Sequence, residues 1–235
     1  METQSEYPAV VLVSGGMDSL TCLALAFERY STNLLPLHLN YGQKTQEREF
    51  LAFKNICDFY KIPKNQRKVI DMTFLKEIGG SSLTDDAIEV SNFKSQKEIP
   101  TSYVPFRNTI ILSLAVSLAE VKKCQEIYIG AVYEDSSGYP DCRPQYYEDF
   151  NRLIKSGTIL QNLKVVTPLL RLSKKEIVAK ALELKAPLEF SWSCYQSSDL
   201  ACGVCDSCAL RLKGFQQLGV KDPIPYKVSP DYRSI

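Results

Sequence analysis

The chain has 235 residues, which suits one α/β domain with a small appendage, and its 45% hydrophobic and 23% charged residues are typical of a globular protein. With 28 basic against 27 acidic residues, the charge balance gives no reason to expect direct binding of nucleic acid or of a membrane surface. The N-terminus is polar without a visible secretory signal, and the longest apolar stretch, residues 110–119, is too short to span a bilayer. We therefore expect a cytoplasmic protein.

The first element is an apolar run, residues 9–13, that breaks at Ser14-Gly15-Gly16-Met17-Asp18-Ser19 and resumes as a helical pattern over residues 20–27. This order predicts a strand, a loop and a helix. Such a loop aims several backbone N–H groups and the positive end of the helix dipole at one point, which favours phosphate or pyrophosphate. The alternative is a tight turn in which serine and aspartate only cap the helix.

Strands and helices alternate along most of the remaining chain. Further strands are predicted at residues 33–39, 68–71, 126–132 and 163–166, and further helices at 46–60, 105–121, 145–156, 173–184 and 206–218. Ser173 and Glu176 have the spacing of a capping box at the start of one helix. The alternation predicts an α/β fold with a doubly wound, parallel, five-stranded sheet, whose ligands bind at the carboxyl ends of the strands.

Two stretches break this pattern. Residues 72–102 are polar with scattered apolar positions, and we expect either a mobile lid or a poorly ordered excursion. The C-terminal stretch holds a cysteine cluster, one helix and a proline-rich tail. We expect a nucleotide-binding domain over residues 1–185 and a small metal-binding segment over residues 186–235, packed on that domain.

The eight cysteines fall into two groups. Cys22, Cys57, Cys124 and Cys142 are scattered, and their surroundings indicate small core residues. The clustered ones are Cys194, Cys202, Cys205 and Cys208. Four thiolates at these spacings can close a tetrahedral zinc site without an open position, which predicts a structural metal. An iron–sulfur centre is the alternative, because C-x2-C-x2-C is also found in ferredoxins.

The loop at residues 14–19 resembles the S-G-G-x-D-S signature of the ATP pyrophosphatase (PP-loop) superfamily, which has a Rossmann-like fold. The resemblance implies cleavage of ATP between its α and β phosphates, with AMP transferred to a substrate oxygen and magnesium offsetting the charge of pyrophosphate. Catalytic roles are implied for Ser14, Asp18 and Arg107. The implied ATP-binding residues are Val13, Ser14, Gly15, Gly16, Met17, Asp18, Ser19, Leu20, Thr21, Cys22 and Leu23.

Further segments narrow this resemblance. They are Tyr41-Gly42-Gln43, Val104–Asn108, Glu134-Asp135-Ser136-Ser137-Gly138-Tyr139-Pro140-Asp141-Cys142-Arg143-Pro144, Thr167-Pro168-Leu169, and Trp192–Tyr195 with the cysteine cluster. Of these residues, 134–137 lie outside the described part of the structure. In this order they are similar to the 7-cyano-7-deazaguanine synthase (QueC) family, over nearly the whole chain. The resemblance implies a ligase of queuosine biosynthesis, a pathway of tRNA modification. It would turn 7-carboxy-7-deazaguanine into the nitrile through an adenylated carboxylate and an adenylated amide, using ATP and free ammonium, and we expect a homodimer.

For the deazaguanine base we expect a pocket built from Gln43, Tyr133, Tyr139, Asp141 and Arg143. A carboxylate can accept hydrogen bonds from a guanine-like edge, and an arginine can pair with a carboxylate. Without the resemblance, the loop after the fourth strand would be interpreted as a solvated surface loop. Arg107 begins an apolar helix, where the dipole disfavours a cation, so an anionic ligand is expected there.

Two positions depart from the family pattern: Thr45 stands where a histidine is usual, and Phe106 where a small residue is more common. His38 is the chain's one histidine, and on a strand we expect it in the core or beside adenine. Three alternatives stay open: a tRNA-modifying or sulfur-transferring relative, a relative that couples the adenylate to another acceptor, and a binding module that has lost activity.

Overall fold

The computed structural model describes residues 7–94, 99–133 and 138–234. Within these ranges the strands are β1 (Ala9–Leu12), β2 (Leu35–Asn40), β3 (Lys68–Asp71), β4 (Glu126–Tyr128) and β5 (Lys164–Val166). The helices are α1 (Met17–Tyr30), α2 (Gln46–Phe59), α3 (Leu75–Ile78), α4 (Arg107–Lys122), α5 (Pro144–Gly157), α6 (Lys174–Glu183) and α7 (Asp206–Leu218). The strands form one parallel sheet in the order β3-β2-β1-β4-β5, which confirms the predicted fold class.

Both faces of the sheet are covered, as residue alternation along β1 demonstrates. Ala9 and Val11 belong to the hydrophobic cluster that contains residues of α1, α2 and α6. Val10 and Leu12 belong to the opposite cluster, with residues of α4 and α5. A strand buried on both sides has a continuous apolar sequence, because alternate side chains enter two different cores.

The position of β1 creates the binding crevice. From β1 the chain winds outward through β2 and β3, and then returns to the other side of β1 to form β4 and β5. The loops after β1 and β4 therefore diverge onto opposite faces at their carboxyl ends. A crevice at this reversal is where ligands bind in open α/β sheets.

Residues after β3 are packed, which differs from the expectation of a lid or a poorly ordered excursion. Met72, Leu75 and Leu83 are buried in the core. The backbone N–H of Lys44 donates to the carbonyl of Leu83 at 3.1 Å. These three side chains anchor the segment without a regular periodicity, while Phe74, Ile78 and Ile99 are exposed. Residues 95–98 lie outside the described ranges.

Most observed boundaries differ from the prediction by one to three residues, and two of the differences have a visible physical cause. Strand β4 ends at Tyr128 and not at residue 132, since the backbone of Gly130 turns toward α1: a Cβ there would lie 2.7 Å from the carbonyl oxygen of Asp18. Helix α4 begins at Arg107, because Phe106 has a left-handed φ of 58°. In the part of the chain that is described, no helix combines the length and apolar character needed to cross a membrane.

The C-terminal segment is attached directly to the loop after β1. The N–H of Trp192 donates to the carbonyl of Gly15 at 2.8 Å. Helix α7 lies against α6 so closely that a Cβ on Gly214 would be 2.7 Å from the carbonyl oxygen of Lys174. Trp192 and the four clustered cysteines share one small hydrophobic cluster with Ala52 of α2. The segment therefore forms a wall of the crevice.

Candidate active site

A cavity of about 270 Å³ lies over the carboxyl ends of β1, β2 and β4. Its floor is apolar, with Leu12, Leu37 and Ile129 among the lining residues. The polar and charged residues that line it are Ser14, Asp18, Ser19, Tyr41, Glu49, Arg107, Asn108, Tyr139, Lys174, Ser193, Tyr195, Ser207 and Arg211. An apolar floor with a few convergent polar groups is typical of a small-molecule site.

The glycine-containing loop after β1 lies at the N-terminus of α1, as predicted. Gly15 has a φ of 95°, and a Cβ there would lie 2.6 Å from the carbonyl oxygen of Glu49, so the loop depends on glycine at this position. The Ser14 hydroxyl donates to Ser19 Oγ at 3.1 Å and accepts from the Gly16 N–H at 3.3 Å. The loop thus holds two hydroxyls and the first amides of the helix at one end of the cavity.

Asp18 is paired with Lys174, a residue that the sequence interpretation missed. Lys174 Nζ donates to Asp18 Oδ2 at 2.6 Å, and the lysine side chain is only 7% exposed. Asp18 Oδ1 is buried and has no hydrogen-bond partner among the described residues. Such an oxygen fits a further ligand, for example the water shell of a divalent cation. Lys174 opens α6, a position that the helix dipole disfavours for a cation, and this was the available signal.

The predicted ATP-binding segment divides into two parts. All of its residues from Val13 to Ser19 except Gly15 line the cavity. Leu20, Cys22 and Leu23 are fully buried within α1, and Thr21 donates its hydroxyl to the carbonyl of Met17 at 2.9 Å. These last four residues support the loop from the core and are not exposed in the cavity.

Arg107, at the start of α4, lines the same cavity and lies among phenol rings. Its Nη1 donates to the Tyr41 hydroxyl at 2.9 Å, and its guanidinium carbon lies 5.0 Å from the centre of the Tyr41 ring. Burial by itself would lower the pKa of Arg107. The phenol oxygens of Tyr41, Tyr195 and Tyr139 nevertheless hold this pKa above its ordinary value. A cation without a carboxylate within salt-bridge distance, among the described residues, is suited to an anionic ligand.

Of the residues predicted to bind the deazaguanine base, some line the cavity and others do not. Tyr139 lines the cavity, and its hydroxyl is 2.9 Å from Ser102 Oγ. Asp141 is buried beside α4, where its Oδ2 accepts the N–H of Asn108 at 3.0 Å. Arg143 and Tyr133 are exposed, and neither lines the cavity. Asp141 thus caps the helix that carries Arg107, with Asn108 between it and the cavity.

The side chain of Gln43 is hydrogen-bonded to a neighbouring carboxylate. Its Oε1 accepts the Tyr41 N–H at 3.0 Å, and its Nε2 donates to Glu49 Oε2 at 3.0 Å. Thr45, at a departure from the family pattern, donates its hydroxyl to Glu49 Oε1 at 2.7 Å. Burial raises the pKa of Glu49, although these two hydrogen bonds and Arg107 oppose the shift. Sequence interpretation missed Glu49, because an acid in the first turn of a helix is ordinarily a solvated residue.

His38 and Cys142 are not arranged for catalysis. His38 is fully buried, with Nδ1 2.8 Å from the carbonyl oxygen of Val13 and Nε2 3.1 Å from Asn40 Oδ1, and burial lowers its pKa. It stacks on Phe53 in the core, one of the two positions expected for it. Burial raises the pKa of the Cys142 thiol to about 12, which disfavours the thiolate that sulfur transfer would require.

The four clustered cysteines come together as predicted. The Sγ atoms of Cys194, Cys202, Cys205 and Cys208 all lie within 4.8 Å of one another, and all four residues are buried. The separation between Cys202 and Cys208 is 3.8 Å, which is about the edge of a tetrahedron with metal–sulfur bonds of about 2.3 Å. The N–H groups of Gln196 and Cys202 donate to Cys194 Sγ at 3.4 and 3.3 Å. The arrangement fits one metal ion bound by four thiolates.

The metal-binding segment also contributes residues to the cavity. Tyr195 follows Cys194 directly, and Ser207 lies between two of the cysteines; both line the cavity. The Ser102 hydroxyl joins Tyr139 to Asp206, at 2.9 and 3.4 Å. An ion in the cluster would therefore fix one cavity wall in addition to attaching the C-terminal segment.

Several known proteins are similar to this chain. A family model described as "Queuosine biosynthesis protein QueC" matches residues 8–219. A protein of Chloroherpeton thalassium named 7-cyano-7-deazaguanine synthase is 56% identical over 226 residues, covering 95% of this chain and 99% of that protein. The protein of the same name from Chlorobaculum parvum is 55% identical, covering 95% and 98%. Among solved structures, the NH3-dependent NAD synthetase of Campylobacter jejuni matches with a TM-score of 0.47 and 19% identity, covering 80% of this chain and 68% of that one.

Proposed function

This chain belongs to the QueC family of queuosine biosynthesis proteins, and we propose that it converts 7-carboxy-7-deazaguanine, ammonium and ATP into 7-cyano-7-deazaguanine, AMP and pyrophosphate. The observation that carries the proposal is that the Ser14–Ser19 loop and Arg107 line one and the same cavity. A phosphate-binding loop and a cation free to bind a carboxylate are what adenylation of a carboxylate requires.

At one end, the loop amides and the hydroxyls of Ser14 and Ser19 would bind the β and γ phosphates of ATP. Lys174 would neutralise part of their charge while it holds Asp18 in place. The unpartnered Asp18 Oδ1 fits a water of hydrated magnesium, an ion that would offset the charge developing on pyrophosphate. The helix dipole of α1 favours the same charge.

At the other end, Arg107 would bind the substrate carboxylate and hold one of its oxygens toward the α phosphate. Tyr139 would contact the deazaguanine ring, since it lines the cavity beside Arg107. Gln43, Tyr133, Asp141 and Arg143 stay predicted substrate-binding residues. For Asp141, the hydrogen bond to the Asn108 N–H supports a role in positioning the start of α4.

Two activations would occur in this pocket. Adenylation turns a carboxylate oxygen into part of a leaving group, and ammonia then displaces AMP to form the amide. Adenylation of the amide oxygen, followed by loss of AMP and a proton, then forms the nitrile. The residues that bind the ring do not need to change between the two rounds, because only the group on the ring is altered.

For the cysteine cluster we propose a structural zinc ion, held by Cys194, Cys202, Cys205 and Cys208. Four thiolates leave no open position for catalysis, and the Sγ separations fit a single ion. An iron–sulfur cluster would need additional atoms between the same thiols. The homodimer, the cytoplasmic location and the division at residue 185 stay predictions.

The test is production of the nitrile by the purified protein from 7-carboxy-7-deazaguanine, ammonium chloride and Mg-ATP, followed by mass spectrometry. Ser14→Ala should lose pyrophosphate release, while Ser117→Ala, which removes an exposed hydroxyl on α4, should retain it. Formation of ADP and inorganic phosphate as the nucleotide products would contradict adenylation. Adenylation with no nitrile at saturating ammonium would favour the alternative in which another acceptor is used.

A further inference from the structure

The proposed reaction needs a proton acceptor. Ammonium is the predominant form at neutral pH, and its nitrogen becomes a nucleophile only after it loses a proton. His38 cannot serve, because both ring nitrogens are engaged in the core. Of the described residues, Asp18 and Glu49 are the two carboxylates that line the cavity. Asp18 is already paired with Lys174, which leaves Glu49.

The surroundings of Glu49 make it suitable for a small cation. Its two oxygens accept one hydrogen bond each, from Thr45 and Gln43, and these fix the carboxylate without neutralising it. Among the described residues, no lysine or arginine nitrogen lies within 4.0 Å of it. A carboxylate offers about four acceptor positions, so about two remain for N–H donors from a ligand.

Glu49 also lies close to both reacting ends of the cavity. Its backbone carbonyl packs against Gly15 of the phosphate-binding loop. Its carboxylate interacts electrostatically with Arg107, the residue proposed to bind the substrate carboxylate. An ion held by Glu49 would therefore be near the carbon that becomes adenylated.

We propose that Glu49 binds the ammonium ion and accepts a proton from it as the nitrogen attacks the adenylated carboxylate; this inference rests on the proposed function. One proton of ammonium passes to the Glu49 carboxylate, and the freed electron pair forms the C–N bond. The C–O bond to the phosphate breaks, and its electrons leave with AMP. The nitrogen then loses a second proton to water, which leaves the neutral amide.

The environment of the carboxylate agrees with this role. Burial raises the pKa of Glu49, and a carboxylate with a raised pKa is a stronger base than one in water. Asp18 serves the phosphates in the same cavity. Two carboxylates in different surroundings would thus serve two different steps: Asp18 the release of pyrophosphate, and Glu49 the attack by nitrogen.

The test compares Glu49→Gln with Glu47→Gln, a matched change at an exposed acid of the same helical turn that does not line the cavity. The glutamine at 49 can keep an oxygen toward Gln43 and turn its NH2 toward the Thr45 hydroxyl, so both local hydrogen bonds can persist. Three rates are measured: ATP–pyrophosphate exchange dependent on 7-carboxy-7-deazaguanine, amide formation with ammonium, and hydroxamate formation with hydroxylamine. Hydroxylamine is uncharged at neutral pH and needs neither a cation site nor prior loss of a proton.

For Glu49→Gln we expect exchange and hydroxamate formation within about threefold of the unmodified protein, and amide formation lowered roughly 100-fold or more. Glu47→Gln should leave all three rates unchanged. Equal losses of rate with ammonium and with hydroxylamine would overturn the inference, because Glu49 would then only maintain the shape of the site. An unchanged rate of amide formation with ammonium would overturn it as well. Absence of exchange in the unmodified protein would instead contradict the proposed function itself.

Discussion

Replacing Asp222 by asparagine should destabilise the protein strongly, because Asp222 is the sole carboxylate paired with the buried Arg211 in the described part of the chain. The two side chains are 3% and 1% exposed. Arg211 Nε donates to Asp222 Oδ2 at 2.6 Å and Nη2 donates to Oδ1 at 2.9 Å. The same guanidinium donates to Ser191 Oγ at 2.7 Å and lines the cavity. The pair therefore connects α7 to the cavity wall.

The magnitude follows from this burial. Asparagine keeps the shape of the side chain but leaves the arginine charge without a counter-charge, and it turns an NH2 group toward an N–H donor. Removing one partner of a buried ion pair costs about 3–5 kcal/mol, whereas exposed pairs contribute about 0–1 kcal/mol. In a chain of this size each kcal/mol lowers the melting temperature by roughly 2–4 °C, so a decrease of roughly 6–20 °C is expected.

The assay is thermal unfolding together with urea unfolding, both followed by circular dichroism, with Asp231→Asn as the matched control. Asp231 pairs with Arg233 at the surface, where both side chains are more than half exposed. The loss in Asp222→Asn should persist at 1 M salt, since a buried pair is poorly screened. A loss below about 1 kcal/mol, or one equal to that of Asp231→Asn, would refute the reasoning.

Three further predictions concern a strained backbone position, a buried histidine and the metal. Phe106 is 61% exposed and has a left-handed φ of 58°, which strains any residue except glycine. Phe106→Gly should therefore raise the free energy of unfolding, measured by denaturant titration, by roughly 0.5–1 kcal/mol. Phe106→Ala keeps the strain and should not raise it. Burial lowers the pKa of His38, so the unfolded chain binds the proton more readily and stability falls as pH drops below about 6.5. The fall in unfolding free energy from pH 7 to pH 5.5 should be smaller in His38→Gln; an identical fall would contradict this. Cys202→Ser should lose one equivalent of bound metal and lower the melting temperature, while Cys124→Ala, at a buried cysteine outside the cluster, should keep its metal by elemental analysis.

Much of the fold could be predicted because its signals are local. An apolar strand, two glycines and a helix occur within residues 9–27, and burial on both faces explains why the strand is apolar throughout. The end of β4 could not be predicted, since Ala131 and Val132 are apolar and buried and yet lie beyond the end of the strand. Their backbone leaves the sheet because of the contact between Gly130 and α1, which is a tertiary constraint.

The site was predictable where one short segment carries it and less so where distant segments meet. The Ser14–Ser19 loop and the cysteine cluster each lie within fifteen residues or fewer along the chain. Lys174 is 156 residues from its partner Asp18, and no local pattern links them. Asp141 likewise bonds to Asn108, 33 residues away. A charged residue in a first helical turn has the same sequence signature whether it faces solvent or a cavity, which is why Glu49 was missed.

The most direct measurement follows the oxygens of the substrate. The protein is incubated with ammonium, Mg-ATP and 7-carboxy-7-deazaguanine in which both carboxylate oxygens are ¹⁸O. The masses of the products are then determined by mass spectrometry. Two adenylations predict two AMP molecules for each nitrile, each carrying one ¹⁸O, with unlabelled pyrophosphate. Label released into water, or found in inorganic phosphate or pyrophosphate, would contradict activation of the carboxylate and amide oxygens by AMP.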